Sequence, residues 1–399
     1  MTKEARMTKD EGRANARHSG LAIASPFAIR ASSLPTSPIA SPSGLAELLG
    51  QIASSDGVAI DTEADSLHCY REKLCLLQVS VPAPGSDSDG GYDEAGRDYI
   101  VDPLADLDLA PLCAVLAQKE IVLHGSDYDL RLLRRSLNFA ACRIFDTLIA
   151  ARLLGIREFS LAALVERFFG VRLAKGSQKA NWARRPLPDR MVEYAMNDTH
   201  YLLPLADRLE SQLREQDRLD WLGQSCERAI EQAATERARD ADEAWRIRGS
   251  GALRGRAAAV LRALWQWREK EAEAADRPPF HILQNDELVR AAESFASGSV
   301  PDYRYFSPRR RRAFRDAAQS ASQLPEEEWP VSRRRSGTRP SAEVVRRSEE
   351  LRRRRDRAAR ELELDPTFVA PRAILEAIAA DEACAATLLV PWQRATLGV

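Results

Sequence analysis

Asp61 and Glu63 close the run Val58-Ala59-Ile60-Asp61-Thr62-Glu63. A short apolar run reads as a strand, and residues two apart in a strand share a face. Two carboxylates set side by side repel, and burial makes ionising both more costly. A hard divalent cation such as Mg²⁺ or Mn²⁺ resolves that conflict through oxygen ligands. The alternative is a solvated Asp-Thr-Glu turn after an edge strand. Further acids could join the pair. Asp129 lies in His124-Gly125-Ser126-Asp127-Tyr128-Asp129, where a strand hands over to a helix. Ser126-x-x-Asp129 equally fits a helix capping box. Tyr194 and Asp198 are four apart on a helix and share a face. Asp198 could instead be a solvated helix residue. Asp127 and Asp146 are reserve carboxylates, better suited to capping.

The elements that must position these groups are readable in order. A helical segment from Gly44 leads into the first strand. Leu74–Ser80 reads as a second strand and Tyr99–Val101 as a third, with a Gly-, Ser- and Asp-rich loop over 82–97 between them. Leu104–Leu116 reads as helix and Ile121–Leu123 as a fourth strand. Ser126–Leu137 is an amphipathic helix, and Ile144–Asp146 is a strand that opens a helix through Leu154. Helices follow at about 160–169, 188–195 and 197–215. Three strands in a row, then strands mixed with helices, predict an α/β domain with a mixed sheet.

The divisions are a disordered Ser/Pro-rich tail at 1–42, where Met1 or Met7 could be the start, and the α/β domain at 43–215. A helical linker at 216–250, a helical unit at 251–325, an Arg/Pro-rich linker at 326–342 and a second helical unit at 343–399 follow. The second unit repeats the first one's layout, a loose sign of internal duplication. Apolar residues make up 44% and charged residues 29%, with net charge −1, so any nucleic-acid contact must use local basic patches. Six scattered cysteines without a C-x-x-C pair argue against a disulfide framework or a zinc site. No run of 18 apolar residues exists, so no membrane span is expected and a cytoplasmic location is the default. No obligate protein partner is evident.

Order, element type and spacing together resemble the tyrosine branch of the DEDD exonucleases, and within it the ribonuclease D family. Asp61-x-Glu63, Tyr128-Asp129 and Tyr194-x-x-x-Asp198 match the three motifs. The sister branch carries a histidine where Glu193 stands. Longer matches are Leu76-Leu77-Gln78, Leu123-His124-Gly125-Ser126, Phe145-Asp146-Thr147, Trp182 with Arg185-Pro186-Leu187, and Tyr201-Leu202-Leu203-Pro204. The unit after Arg246 resembles an HRDC domain through Trp267-Arg268-Glu269 and Asp276-Arg277-Pro278, and the last unit a second HRDC-type domain. The Ser/Pro-rich tail and the Arg-rich stretch between the helical units depart from the family pattern.

The resemblance implies a ribonuclease H-like exonuclease fold followed by two small all-α HRDC-type bundles. It implies 3′→5′ hydrolysis of RNA 3′ ends to nucleoside 5′-monophosphates by two divalent ions, Mg²⁺ or Mn²⁺, about 3.5–4 Å apart. Asp61 is then expected to touch both ions, Glu63 and Asp198 to complete one site, and Asp129 to hold the second ion. Tyr194 is expected to orient the attacking water, because a phenol with a reference pKa of about 10 is a poor base. Single-stranded 3′ ends, and tRNA precursors in particular, are the implied partners. Lys175, Lys179, Arg184 and Arg185, interleaved with Trp182, could meet phosphates and a base. The alternative for Trp182 is a place in the core. His124 and His200 could contact phosphate or be structural. Arg309–Arg312 and Arg333–Arg335 are candidate RNA patches or solvated runs. A DNA exonuclease of the same superfamily, and a catalytically idle RNA-binding scaffold, are the competing readings.

Overall fold

In the computed structural model, residues 37–82, 96–174, 176–235, 243–331 and 340–399 are described. Chain order runs α1 (Pro42–Ala53), β1 (Gly57–Ala64), β2 (Leu74–Val81), β3 (Arg97–Val101), α2 (Ala110–Leu116), β4 (Glu120–Leu123), α3 (Asp127–Leu137) and β5 (Arg143–Asp146). It continues with α4 (Thr147–Leu153), α5 (Leu161–Phe169), α6 (Asp189–His200), α7 (Leu202–Glu215) and α8 (Leu219–Ala234). The five strands form one sheet in the order β3-β2-β1-β4-β5. β1 pairs antiparallel with β2 and parallel with β4, β2–β3 is antiparallel, and β4–β5 is parallel. This is the expected mixed-sheet α/β fold. β2 is buried along its whole length, as its apolar run Leu74-Cys75-Leu76-Leu77 requires of a strand covered on both faces.

The register at β1 creates the site. Pairing with β4 ends at Ala59–Val122, whereas pairing with β2 continues past Glu63–Leu76. The end of β1 therefore overhangs β4, and α3 packs against it on that side.

Several expected boundaries move. Residues 37–42 are not tail-like. Ile39 N–H donates to the Ile100 carbonyl at 2.7 Å, and Ser41 caps α1. Leu104–Asp108 is not helical, because Asp102 and Asp108 side chains accept from the Leu104 and Ala110 amides and stabilise turns instead. The helix break falls at Tyr201, so α6 carries Tyr194 and Asp198 together. α8 is no linker: Leu222, Cys226 and Ala233 are buried in the main core. Residues 1–36, the loop 83–95, Lys175, 236–242 and 332–339, with Arg333–Arg335, lie outside the described residues.

The helical remainder comprises α9 (Gly255–Ala274), α10 (Pro279–Ile282), α11 (Asn285–Ala296), α12 (Pro308–Ser322), α13 (Ala342–Glu361), α14 (Pro366–Val369), α15 (Arg372–Ala380), α16 (Ala385–Leu388) and α17 (Pro391–Leu397). α9–α11 and α13–α15 repeat one plan at a constant offset. Both long helices have 20 residues, and both short ones have 4 and begin with proline. Buried Arg268 and Arg355 occupy the same place, each donating to the carbonyl fifteen residues on, Leu283 and Ala370. Asp276 and Glu363, also equivalent, both turn the chain with left-handed φ of 43° and 58°.

The two units seat differently. The first has its own core, with Trp267 packed against Phe306 and Phe314. It meets the α/β domain at the β1–β2 connection, where Tyr70 N–H donates to Asp276 at 3.2 Å and Arg71 pairs with Glu273 at 2.8 Å. The second unit shares the main core of the α/β domain. Trp392 stacks on Trp221 of α8 with ring centroids 4.9 Å apart, and Arg218 donates to the Leu362 carbonyl at 2.9 Å. The fourth helix of the first unit, α12, packs on α9, and the expected linker residues 326–331 fold back onto the same unit. There Trp329 Nε1–H donates to Leu324.

Candidate active site

Asp61 and Glu63 extend from the same face of the β1 overhang, half-buried. Asp198 comes from α6, whose apolar side (Met191, Val192, Ala195, Met196) packs on Cys75, Leu76 and Ile100 of β2 and β3. Carboxylate oxygens of Asp61, Glu63 and Asp198 lie within 4.8 Å of one another. α6 is further tied to β3 by a buried chain: Ser80 Oγ–H reaches Asp98 at 2.6 Å, and Asp98 meets His200 Nδ1 at 2.6 Å. His200 is therefore structural and not a phosphate contact.

Asp129 stands apart from that trio but lines the same cleft, which measures about 800 Å³. Its carboxylate is held by the Thr62 hydroxyl, which donates at 2.5 Å. The capping reading fails here. Ser126 has helical φ and ψ, so its side chain makes no cap bond, and its Oγ has no partner. Asp146 does the local structural work, accepting from the Gly125, Ser126, Leu148 and Ile149 amides. Asp127 pairs with Arg131 on its own helix.

Burial is the main cause of the site's electrostatics. It pushes Asp61 well above the usual carboxylate range, with the charges of Asp129, Asp198 and Glu63 adding to it. Burial, then Asp198 and Asp129, push Glu63 up to about 9. Asp198 rises to about 7, burial outweighing the hydrogen bond from Tyr194. Asp129 rises to about 6, burial opposed by the Thr62 bond. Four crowded acids held partly protonated are what a bound cation would relieve. The donor set is all oxygen, which suits a hard divalent ion. Tyr194 is raised by burial, then by Asp198 and Glu63, so its phenol stays protonated.

The substrate-binding expectations divide. Trp182 is 1% exposed and sits behind Tyr194 with ring centroids 6.1 Å apart, so it is core and not a base-stacking surface. Arg185 is tied to Asp102 through two 2.6 Å bonds and to the Cys75 carbonyl. Lys179 and Arg184 are exposed, and the Lys179 carbonyl meets His68 Nε2 at 3.2 Å. His124 lines the cleft. Thr147 Oγ–H donates to the Leu123 carbonyl, so it accepts from His124 Nδ1 at 2.9 Å. Burial lowers the imidazole pKa, which leaves a neutral ring whose Nε2 is an acceptor. An acceptor suits a hydroxyl donor and not a phosphate oxygen. In the run Arg309–Arg312, Arg310 pairs with Glu271 and Arg311 with Asp302, while Arg309 and Arg312 are exposed.

Three cleft residues, Thr62, Phe159 and Gln178, and the buried Gln78 behind Asp61 had no role assigned from sequence. Gln78 is the register partner of Asp61 and donates to it at 3.4 Å, and a lone amide within the apolar β2 run was its signal. Phe159 and Gln178 line the cleft from irregular segments that carry no periodic signal.

Residues 37–214 match the family model described as 3′-5′ exonuclease, and residues 257–296 match the HRDC domain. Fold and site thus define a 3′–5′ exonuclease domain with an appended HRDC domain. A ribonuclease D from Sphingobium indicum is 33% identical over 253 residues, 62% of this chain and 61% of that protein. One from Xanthomonas oryzae is 29% identical over 372 residues, 90% of this chain and 95% of that protein. The solved structure of Escherichia coli RNase D, described as an exoribonuclease involved in structured RNA processing, shares the fold. It has a TM-score of 0.63 and 21% identity, covering 87% of this chain and 90% of that one. Over these segments the chain is similar to ribonuclease D proteins, spanning about three fifths of the length of the Sphingobium relative.

Proposed function

We propose that this protein is a divalent-metal-dependent 3′→5′ exoribonuclease that releases nucleoside 5′-monophosphates, with tRNA precursors as its substrate class. The observation that carries this is the gathering of Asp61, Glu63 and Asp198 at one cleft that Asp129 and Tyr194 also line. Asp61 would hold both of two ions, Mg²⁺ or Mn²⁺, Glu63 and Asp198 one of them, and Asp129 the other. When bound, the ions supply Lewis acidity and neutralise charge at the scissile phosphate. Thr62 steers Asp129 by its hydrogen bond. Tyr194, protonated at neutral pH with its one O–H given to Asp198, would orient water through its oxygen and does not act as the base. The His124 acceptor favours RNA over DNA, since only a ribose offers a 2′-hydroxyl donor. The names of the relatives support the RNA reading. Lys179 and Arg184 remain candidate phosphate contacts, as does Lys175.

Asp61→Asn is expected to lower metal-dependent release of nucleotides from single-stranded RNA at least about 10³-fold with the circular dichroism spectrum unchanged. Full activity in that variant sinks the proposal. Matched RNA and DNA oligonucleotides test the substrate, and His124→Ala should narrow the preference between them.

A further inference from the structure

α13 carries a row of arginines that nothing in the fold requires. Arg346, Arg353, Arg357 and Arg360 follow at intervals of seven, four and three residues, the spacing of one helix face. All four are exposed. Their neighbours Arg347, Arg352, Arg354 and Arg355 are paired with Glu382, Asp356, Glu350 and Asp356, but none of the four has an ion-pair partner among the described residues. Glu343 and Glu361 flank its ends, Glu350 is taken by Arg354, and Glu349, three residues after Arg346 and four before Arg353, is the one other acid beside the row on this helix. The duplicate unit supplies an internal control. The equivalent places on α9 hold Ala259, Gln266, Lys270 and Glu273, so the helix pair folds without the row.

The row ends at a cavity. Arg360 lines a space of about 750 Å³ between the second helical unit and the α/β domain, together with Arg152, Arg157 and Phe159. Phe159 also lines the catalytic cleft, so the two spaces adjoin. The Arg152 guanidinium stands 4.2 Å from the Phe368 ring centroid and 5.5 Å from that of Phe159, and its Nε has no hydrogen-bond partner. Two acids border the cavity, Glu363 and Asp365, the latter held ionised by the Thr367 amide and hydroxyl at the start of α14; against Arg152, Arg157 and Arg360 they leave one positive charge in excess.

We propose that this surface is the track for the RNA strand upstream of its 3′ end, running along α13, through the cavity beside Arg152 and Phe159, and into the catalytic cleft. It rests on the exoribonuclease reading. From Arg346 to Arg360 the row is about 21 Å long at 1.5 Å per residue, enough to meet several successive phosphates. Continuity with the cleft and an excess of positive over negative charge select a polyanion, and Phe159 offers a ring against which a base can stack.

The test is binding of a fluorescent 30-nucleotide RNA to the full chain in EDTA, which prevents hydrolysis, over a series of salt concentrations. The triple variant Arg353→Gln, Arg357→Gln, Arg360→Gln should bind at least about tenfold more weakly at moderate salt. Its plot of log affinity against log salt should be shallower by about 2, since each single-strand phosphate contact contributes about 0.7. A matched triple on the first unit, Arg304→Gln, Arg309→Gln, Arg312→Gln, should change both quantities by less than a third as much. Wild-type behaviour in the first triple, or equal losses in the two, overturns the track. Hydrolysis by the wild type is measured in parallel with Mg²⁺. Its absence, with binding still dependent on Arg353, Arg357 and Arg360, would overturn the enzyme reading and leave the track standing.

Discussion

The two helical units are built on one plan and attached on two. Each meets the α/β domain at the same corner, the left-handed residue after its long helix: Asp276 in the first, Glu363 in the second. At Asp276 the contact is polar and narrow, and the unit keeps a core of its own. At Glu363 the contact is close backbone packing, and the unit gives up a separate core to complete that of its host. Duplication preserves the elements that make a unit fold, such as Arg268 and Arg355. The outward residues are free to diverge, and they decide whether a unit is an appendage or a wall.

That contrast can be broken most sharply at its aromatic contact. Trp392→Ala removes a 3% exposed indole stacked on Trp221 and should cost about 3–5 kcal/mol. Calorimetry should show the main α/β transition fall. Phe314→Ala, of similar expected size, should lower only the transition of the first unit. Equal effects of both on one transition would mean that the units are coupled alike. Gly155→Ala comes next. The residue has φ +73°, and an added Cβ would lie 2.5 Å from the Glu363 carbonyl oxygen, so a loss of about 2 kcal/mol or more is expected by urea unfolding, again confined to the main transition.

A third test uses pH. Glu63, Asp198 and Asp129 have folded pKa values raised to about 9, 7 and 6, so the native state binds more protons than the unfolded chain. Stability therefore falls as pH rises from the unfolded carboxylate range, near 4, through those values. Without divalent metal the main transition should drop by several degrees between pH 5 and pH 9, and Mg²⁺ or Mn²⁺ should restore more of it at the higher pH. The transition of the first unit should show none of this metal dependence. The smallest effect is expected for Arg71→Ala, an exposed ion pair worth under about 1 kcal/mol. Hydrogen exchange should reveal a looser first unit at nearly unchanged global stability.

The residues that the structure gathers at the cleft were visible before it, because spacing carries them: Asp61 and Glu63 by strand alternation, Tyr194 and Asp198 by the helix repeat. Asp129 was ambiguous for a physical reason. Capping and lining a cleft both place an acid in a first helical turn, and only the β1 overhang, which brings Thr62 to it, decides between them. Trp182 misled because an indole among cations looks the same whether it faces a base or a core. The sheet and the helical repeat were legible from apolar runs and repeated proline positions. The attachment of the second unit was not, since Gly155, Trp221 and Trp392 belong to no local period.

The shared core also sets a timetable. Ribosomes deliver α8 well before α17, by roughly ten to thirty seconds at ordinary synthesis rates for the intervening chain. Through that interval the indole of Trp221 has no Trp392 to cover it. All five strands of the sheet are therefore synthesised while the core they share with the second unit is still unfinished. The shared core therefore reaches its full rigidity late, when α17 arrives to close it.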